Sequence, residues 1–185
     1  MAASKSKKSA APAKSAAAAK ASAAAPAAKP AKPLNPRAAI IAALNAAYWM
    51  EIETTLNYIA NSINLDGVRA EEIKKSLLMD IPVEIGHAQT LGKRIKELGG
   101  KVQGSAAFTP GQARLQPPRS STDVTAVIRG VIEAEDAAIA QYNLTIRLCE
   151  GIDYVTQDTC IRLLAEEETH CQEFHSFLKE YQKKG

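Results

Sequence analysis

The sequence predicts an all-α fold, an antiparallel four-helix bundle whose second and third helices are joined by a long crossover. Three observations predict it. Four long segments place apolar residues at alternating steps of three and four, the period of a helix seam turned toward its partners. Short turn signals, Asp66-Gly67 and Gly151, divide these segments into two pairs, and a short turn forces each pair to fold back on itself. Aromatics make up only 5% of the chain, alanine is abundant, and no strand-rich stretch competes.

The elements follow in order. Asn35-Pro36 reads as an N-cap followed by proline at the first helical position, opening a helix to about Asn64 with Ile40, Leu44, Ala47, Glu51, Thr54 and Tyr58 on its seam. A second helix, roughly 68–98, faces it with Leu77, Glu84, His87, Leu91 and Leu98, and Gly99-Gly100 ends it. Pro82 lies inside that helix, removes a backbone hydrogen bond and predicts a kink or a broken turn. Residues 101–120 hold Pro110, Pro117 and Pro118 and read as a connection long enough to cross the bundle, with a short helical turn near Gln112. Ser120 to Asp123 start a third helix, to about Glu150, with Val124, Ile128, Val131, Glu135, Ala138, Tyr142 and Cys149 inward. Asp153 caps the fourth, which runs to about Tyr181 with Cys160, Leu163, Glu167, His170, Phe174, Phe177 and Tyr181 on its seam.

Chemistry enters where charged residues fall on these seams. Glu84 and His87, and again Glu167 and His170, stand three apart, so each pair projects from neighbouring points of one helix face. Glu51 lies about 15 residues before the first turn and Glu84 about 17 after it, which puts them at nearly one height in an antiparallel hairpin. Glu135 and Glu167 are placed in the same way about the second turn. The halves also repeat one another: Glu51 is followed by Asn57-Tyr58, and Glu135 by Gln141-Tyr142. Four inward glutamates and two inward histidines therefore meet at mid-bundle, with no inward Lys or Arg to compensate them. Unpaired burial would cost several kcal/mol for each carboxylate. Two divalent cations remove that cost, and the set matches the di-iron or di-manganese carboxylate pattern of helical bundles. Glu133 is the rival of Glu135 but lies off the seam and breaks the repeat. Tyr58 and Tyr142 read as core aromatics whose hydroxyls reach polar groups, and His175 as a surface residue.

These residues resemble the ferritin superfamily, specifically bacterioferritins and their Dps-like, haem-free relatives. The stretches LNAAYWMEIETTLNY, EIGHAQTLGKRIKELGG, EDAAIAQY and DYVTQDTCIRLLAEEETH carry the resemblance, which spans roughly residues 38–182. It implies a ferritin-like bundle over 35–185 and a ferroxidase centre for two iron ions, with Glu51, Glu84, His87, Glu135, Glu167 and His170 as catalytic and metal-binding residues and Glu84 and Glu167 bridging. Manganese and zinc are the alternative metals. No haem is expected, since Ile85 stands where bacterioferritins hold it with methionine. No fifth helix is expected after Gln182, so the resemblance implies a Dps-like dodecameric cage rather than the larger bacterioferritin shell. The implied function is ferroxidase activity with H₂O₂ or O₂ and iron storage. Two alternatives stand beside it: a non-storage di-iron or di-manganese redox enzyme like rubrerythrins or manganese catalases, and a chiefly DNA-compacting protein.

Charge patterning points to a second partner. Of 23 Lys and Arg and 20 Asp and Glu, residues 1–33 take seven lysines and no acid, which leaves 16 basic against 20 acidic residues in the remainder. A tail over 1–34 of Ala, Lys, Ser and Pro holds nothing that could join a core and is expected to be disordered. Lys5, Lys7, Lys8, Lys14, Lys20, Lys29 and Lys32 suit a polyanion, with DNA the expected partner and a targeting or solubilising extension the alternative. Cys149, Cys160 and Cys171 include no CxxC and are expected as free, buried thiols in a reducing compartment. Neither a run of eighteen apolar residues nor a secretory core occurs, so a cytoplasmic chain with no membrane partner is expected.

Overall fold

A computed structural model describes residues 35–182. Within them lie four long helices, α1 (Pro36–Asn64), α2 (Glu71–Glu97), α3 (Val124–Cys149) and α4 (Tyr154–Gln182), and no strand. Their termini carry the expected chemistry. The Asn35 side chain accepts from the Arg37 amide at 3.1 Å, Asp123 from Ala126 at 3.0 Å and Asp153 from Thr156 at 3.1 Å, so three helices begin on a side-chain cap. Before α2 the chain makes a short 3₁₀ turn, Val68–Ala70, entered through Gly67 at φ 94°. The expected break at Pro82 does not occur. α2 runs on through it, and both Pro82 and Leu78, whose carbonyl loses its helical donor, are exposed residues.

α1 packs along α2 and α3 along α4, while α1 also lies against α3, which joins the two hairpins into one bundle. The apolar core has two parts. Tyr58, Leu65, Ile73, Leu77, Ile128, Val131 and Phe174 belong to one, and Ile40, Leu44, Leu91, Ile95, Tyr142, Cys160 and Leu163 to the other. Each fully buried large side chain contributes about 1.5–3 kcal/mol, and these two plugs hold the polar layer between them in place.

The crossover is bolted to α1 by polar groups. Gly111 and Gln112 donate their backbone N–H groups to the buried Glu53 carboxylate at 2.9 and 2.8 Å, and Asn61 donates to the Leu115 carbonyl at 2.7 Å. The turn Ala113–Leu115, beside the position where the sequence predicts one, rests on α3 at Gly130. A Cβ there would lie 2.5 Å from the Arg114 carbonyl oxygen, so backbone meets backbone with no flexible side chain to yield. Gly130→Ala should therefore destabilise the bundle by about 1–3 kcal/mol, read as a lower denaturation midpoint.

Candidate metal centre

Two overlapping groups of side chains occupy the layer between the core plugs. Glu51, Glu84, His87 and Glu167 form one and Glu84, Glu135, Glu167 and His170 the other, with the potential donor atoms of each within 4.8 Å of one another. All six residues expected from the sequence are thus brought together, and Glu84 and Glu167 belong to both groups. The four glutamates are buried, none more than 2% exposed. Glu133, by contrast, is exposed and pairs with Arg114 at 3.0 Å, and His175 is exposed.

The arrangement leaves its inner atoms without partners. Both carboxylate oxygens of Glu84, both of Glu167, and Nδ1 of His87 and of His170 are buried and accept or donate no hydrogen bond. His87 Nδ1 approaches Glu167 Oε1 to 2.8 Å, yet the angles are not those of a hydrogen bond. Nδ1 of His170 lies 3.4 Å from Glu84 Oε1 and 3.6 Å from Glu167 Oε2. Six orphaned donor atoms around one space fit a pair of cations: oxygen and imidazole donors suit iron, manganese and zinc.

The outer carboxylates are held from across the bundle. Tyr58 of α1 donates its hydroxyl to Glu135 of α3, and Tyr142 of α3 donates to Glu51 of α1, so the two hairpins exchange equivalent bonds. Sequence reasoning expected these hydroxyls to reach polar groups; the structure adds which ones. His87 is oriented by Glu166, whose carboxylate lies 2.9 Å from Nε2 and leaves Nδ1 to face the centre. Glu166 escaped notice because it precedes Glu167 and lies off the seam. Asp80, buried one turn before Glu84, also escaped notice, although its spacing of four placed it on the same face. Glu166→Ala should weaken metal affinity about 10- to 100-fold by freeing the ring, which a titration with Co²⁺ would read.

Electrostatics divides the site into two kinds of carboxylate. Burial pushes the Glu51 carboxyl well up, against the pull of His87, and burial with the charges of Glu84 and Glu167 raises Glu135. Burial alone would raise Glu167 too, but His170 and His87 outweigh it and hold it at about 2. Burial opposes charge on both imidazoles as well, yet Glu167 and Glu51 bring His87 up to about 11 and Glu167 and Glu84 bring His170 up to about 10. The three cysteines are free and buried, and burial raises their thiols to about 11, 12 and 11 for Cys149, Cys160 and Cys171.

The ferritin-like domain family matches residues 41–183. The chain belongs to the ferritin-like family. Among relatives of this ferritin-like chain, bacterioferritin of Desulfovibrio desulfuricans is 29% identical over 137 residues, 72% of this chain and 71% of that protein. The structure of D. desulfuricans bacterioferritin, solved with its diiron site in different catalytic states, matches with a TM-score of 0.63 at 26% identity, over 78% of this chain and 80% of that one. A ferritin-like diiron-carboxylate protein of Bacillus anthracis str. Ames matches at 0.69 with 19% identity, over 78% of this chain and 99% of that one. A dodecameric thioferritin, the bacterioferritin-related protein of Bacteroides fragilis, matches at 0.66 with 24% identity, over 80% and 88%. The last two similarities speak to the fold. No helix among the described residues is long and apolar enough to cross a membrane.

Proposed function

We propose that this ferritin-like chain is a ferroxidase and iron-storage protein. Fe²⁺ is its substrate, bound by Glu51, Glu84, His87, Glu135, Glu167 and His170, with Glu84 and Glu167 shared between two ions. The observation that carries this reading is the set of six buried, partnerless donor atoms on Glu84, His87, Glu167 and His170. Two Fe²⁺ give up one electron each to H₂O₂, and with two protons the products are two Fe³⁺ and two waters; O₂ is the alternative oxidant. Carboxylates favour the harder ferric product, and side chains supplying four donors for each ion leave positions open to the oxidant. The oxidised ions then leave for storage.

Storage needs a closed shell, and closed shells are built from repeated symmetric contacts. We assign a Dps-like cage of twelve copies, the number found in the B. fragilis relative. The proposed tail, 1–34, lies outside the described residues; its seven lysines, repeated on each copy, would grip DNA through multivalent phosphate contacts in the cytoplasm. The test is iron loading combined with particle mass. Protein freed of metal should run as a particle of about 240 kDa, twelve chains of 19.8 kDa, and should take up far more than two irons per chain when Fe²⁺ and oxidant are supplied. A stable dimer that stops at two irons per chain would refute storage. Removing residues 1–33 should abolish gel retardation of DNA and leave Fe²⁺ oxidation unchanged; retained retardation would place the DNA grip on the bundle.

A further inference from the structure

The end of the bundle where α1 begins and α2 stops is basic, although acids outnumber bases in the chain beyond residue 33. The segment from Lys93 to Lys101 carries Lys93, Arg94, Lys96 and Lys101 against a single acid, Glu97, and Arg37 joins them from the first turn of α1. Arg37 donates its Nε to the Leu98 carbonyl at 2.8 Å, which fixes this charge against the end of α2. Lys93 and Lys96 are neighbours on the helix surface, three residues apart. Gly92 lies against Val102, where an added Cβ would sit 3.5 Å from the valine side chain. The chain beyond Gly99 therefore turns back along the last turns of α2 and brings Lys101 beside them.

The acids at this end are already engaged. Glu97 and Asp153 both accept from Arg94, each at 2.8 Å, and Glu150 accepts from Gln157 at 2.6 Å. Arg37, Lys93, Lys96 and Lys101 are exposed and make no ion pair among the described residues. The terminal nitrogens of Arg37 likewise carry no bond there, so its planar fork is open to an anion. Four cations without counter-charges give this surface a positive potential of its own.

We propose that Arg37, Lys93, Lys96 and Lys101 form a fixed phosphate-binding strip on which a DNA duplex lies against the bundle. The inference rests on the DNA reading above. Pro36 opens α1, so the strip adjoins the point where residues 1–34 join the bundle, and one duplex can meet both sets of lysines. Contacts from lysine and arginine to phosphate release counterions and carry no sequence information, so the strip adds grip and sets where the duplex rests. A straight duplex reaches only one or two strips of a closed shell, whereas tails of several copies add their lysines to it. The strip therefore supplements the tail and does not replace it.

The test compares two full-length triple variants that remove the same net charge. One carries Lys93→Gln, Lys96→Gln and Lys101→Gln in the strip; the other carries Lys74→Gln, Lys75→Gln and Lys179→Gln at the opposite end of the bundle. Binding to a fluorescent DNA duplex is measured by anisotropy across a salt series, with circular dichroism to check that each variant is folded. The strip variant should bind more than about 10-fold more weakly at moderate salt, and its plot of log affinity against log salt should be shallower by about 3, one for each lysine removed from a phosphate. The variant at the opposite end should match the unaltered chain. Equal weakening in both variants would overturn the proposal, since it would mark a net-charge effect without a site, and so would unaltered affinity and slope in the strip variant. Failure of the DNA reading would look different: the unaltered full-length protein would show no salt-sensitive binding to the duplex, and both ideas would fall together.

Discussion

Glu84→Ala should abolish rapid Fe²⁺ oxidation, with a loss larger than about 100-fold, while the chain stays helical. Its carboxylate belongs to both donor groups, so its removal takes a ligand from each ion at once. His170→Ala should fail differently. It leaves the group of Glu51, Glu84, His87 and Glu167 whole, so one ion should still bind while the two-ion reaction is lost. Neither change should unfold the protein, because removing a buried carboxylate from a like-charged cluster relieves repulsion that only metal otherwise offsets. Stopped-flow oxidation with circular dichroism separates these outcomes, and calorimetric titration counts the ions. Glu133→Ala is the comparator and should be nearly silent; if it were the damaging change, the ligand on α3 would be Glu133 and not Glu135.

Metal affinity should rise steeply with pH. In the metal-free centre His87 and His170 hold protons up to about 11 and about 10, so near neutrality an incoming cation must displace both. Both values lie above the ordinary imidazole value, so the protonated form is the one stabilised without metal. Lowering the pH strengthens proton competition, and raising it toward 10 relieves it. Each displaced proton gives a tenfold change in binding constant per pH unit, so two give about 100-fold between pH 6 and 7. Glu51 and Glu135, which burial pushes up, steepen the slope wherever they still hold protons. Glu167, held at about 2, contributes nothing in this window. Titrations in buffers of different ionisation enthalpy would count the released protons directly, and a count near zero would mean that the imidazoles are already neutral.

The helices and the layer of inward carboxylates were legible because both are periodic. A seam of alternating threes and fours marks which face is inward, and a glutamate on that seam is conspicuous since burial requires a reason. The same logic placed Glu51, Glu84, Glu135 and Glu167 at one height from residue counts alone, and the structure brings them together. Pro82 does not break the helix, because a missing hydrogen bond is destabilising only where water cannot replace it, and exposure is not written in the local pattern. Glu166 and Asp80 were hidden for another reason. Glu166 is exposed and acts through one hydrogen bond to another element, and such a contact depends on how helices rotate against each other rather than on spacing within one. The crossover was legible as a length and a run of prolines, but its seat on Gly130 and its bonds to Glu53 required three dimensions.

The exchanged bonds, Tyr58 to Glu135 and Tyr142 to Glu51, bear on how the protein reaches and keeps its folded state. Each donor group draws on both hairpins, and so does each tyrosine contact. Either hairpin can form from local contacts, but neither alone offers an ion a complete set of ligands, and the space between them exists only once they have docked. An ion could therefore find its full set of donors only after the hairpins have docked. Its effect should fall on the unfolding limb of the kinetics, lengthening the lifetime of the assembled bundle and leaving the speed of its formation nearly untouched.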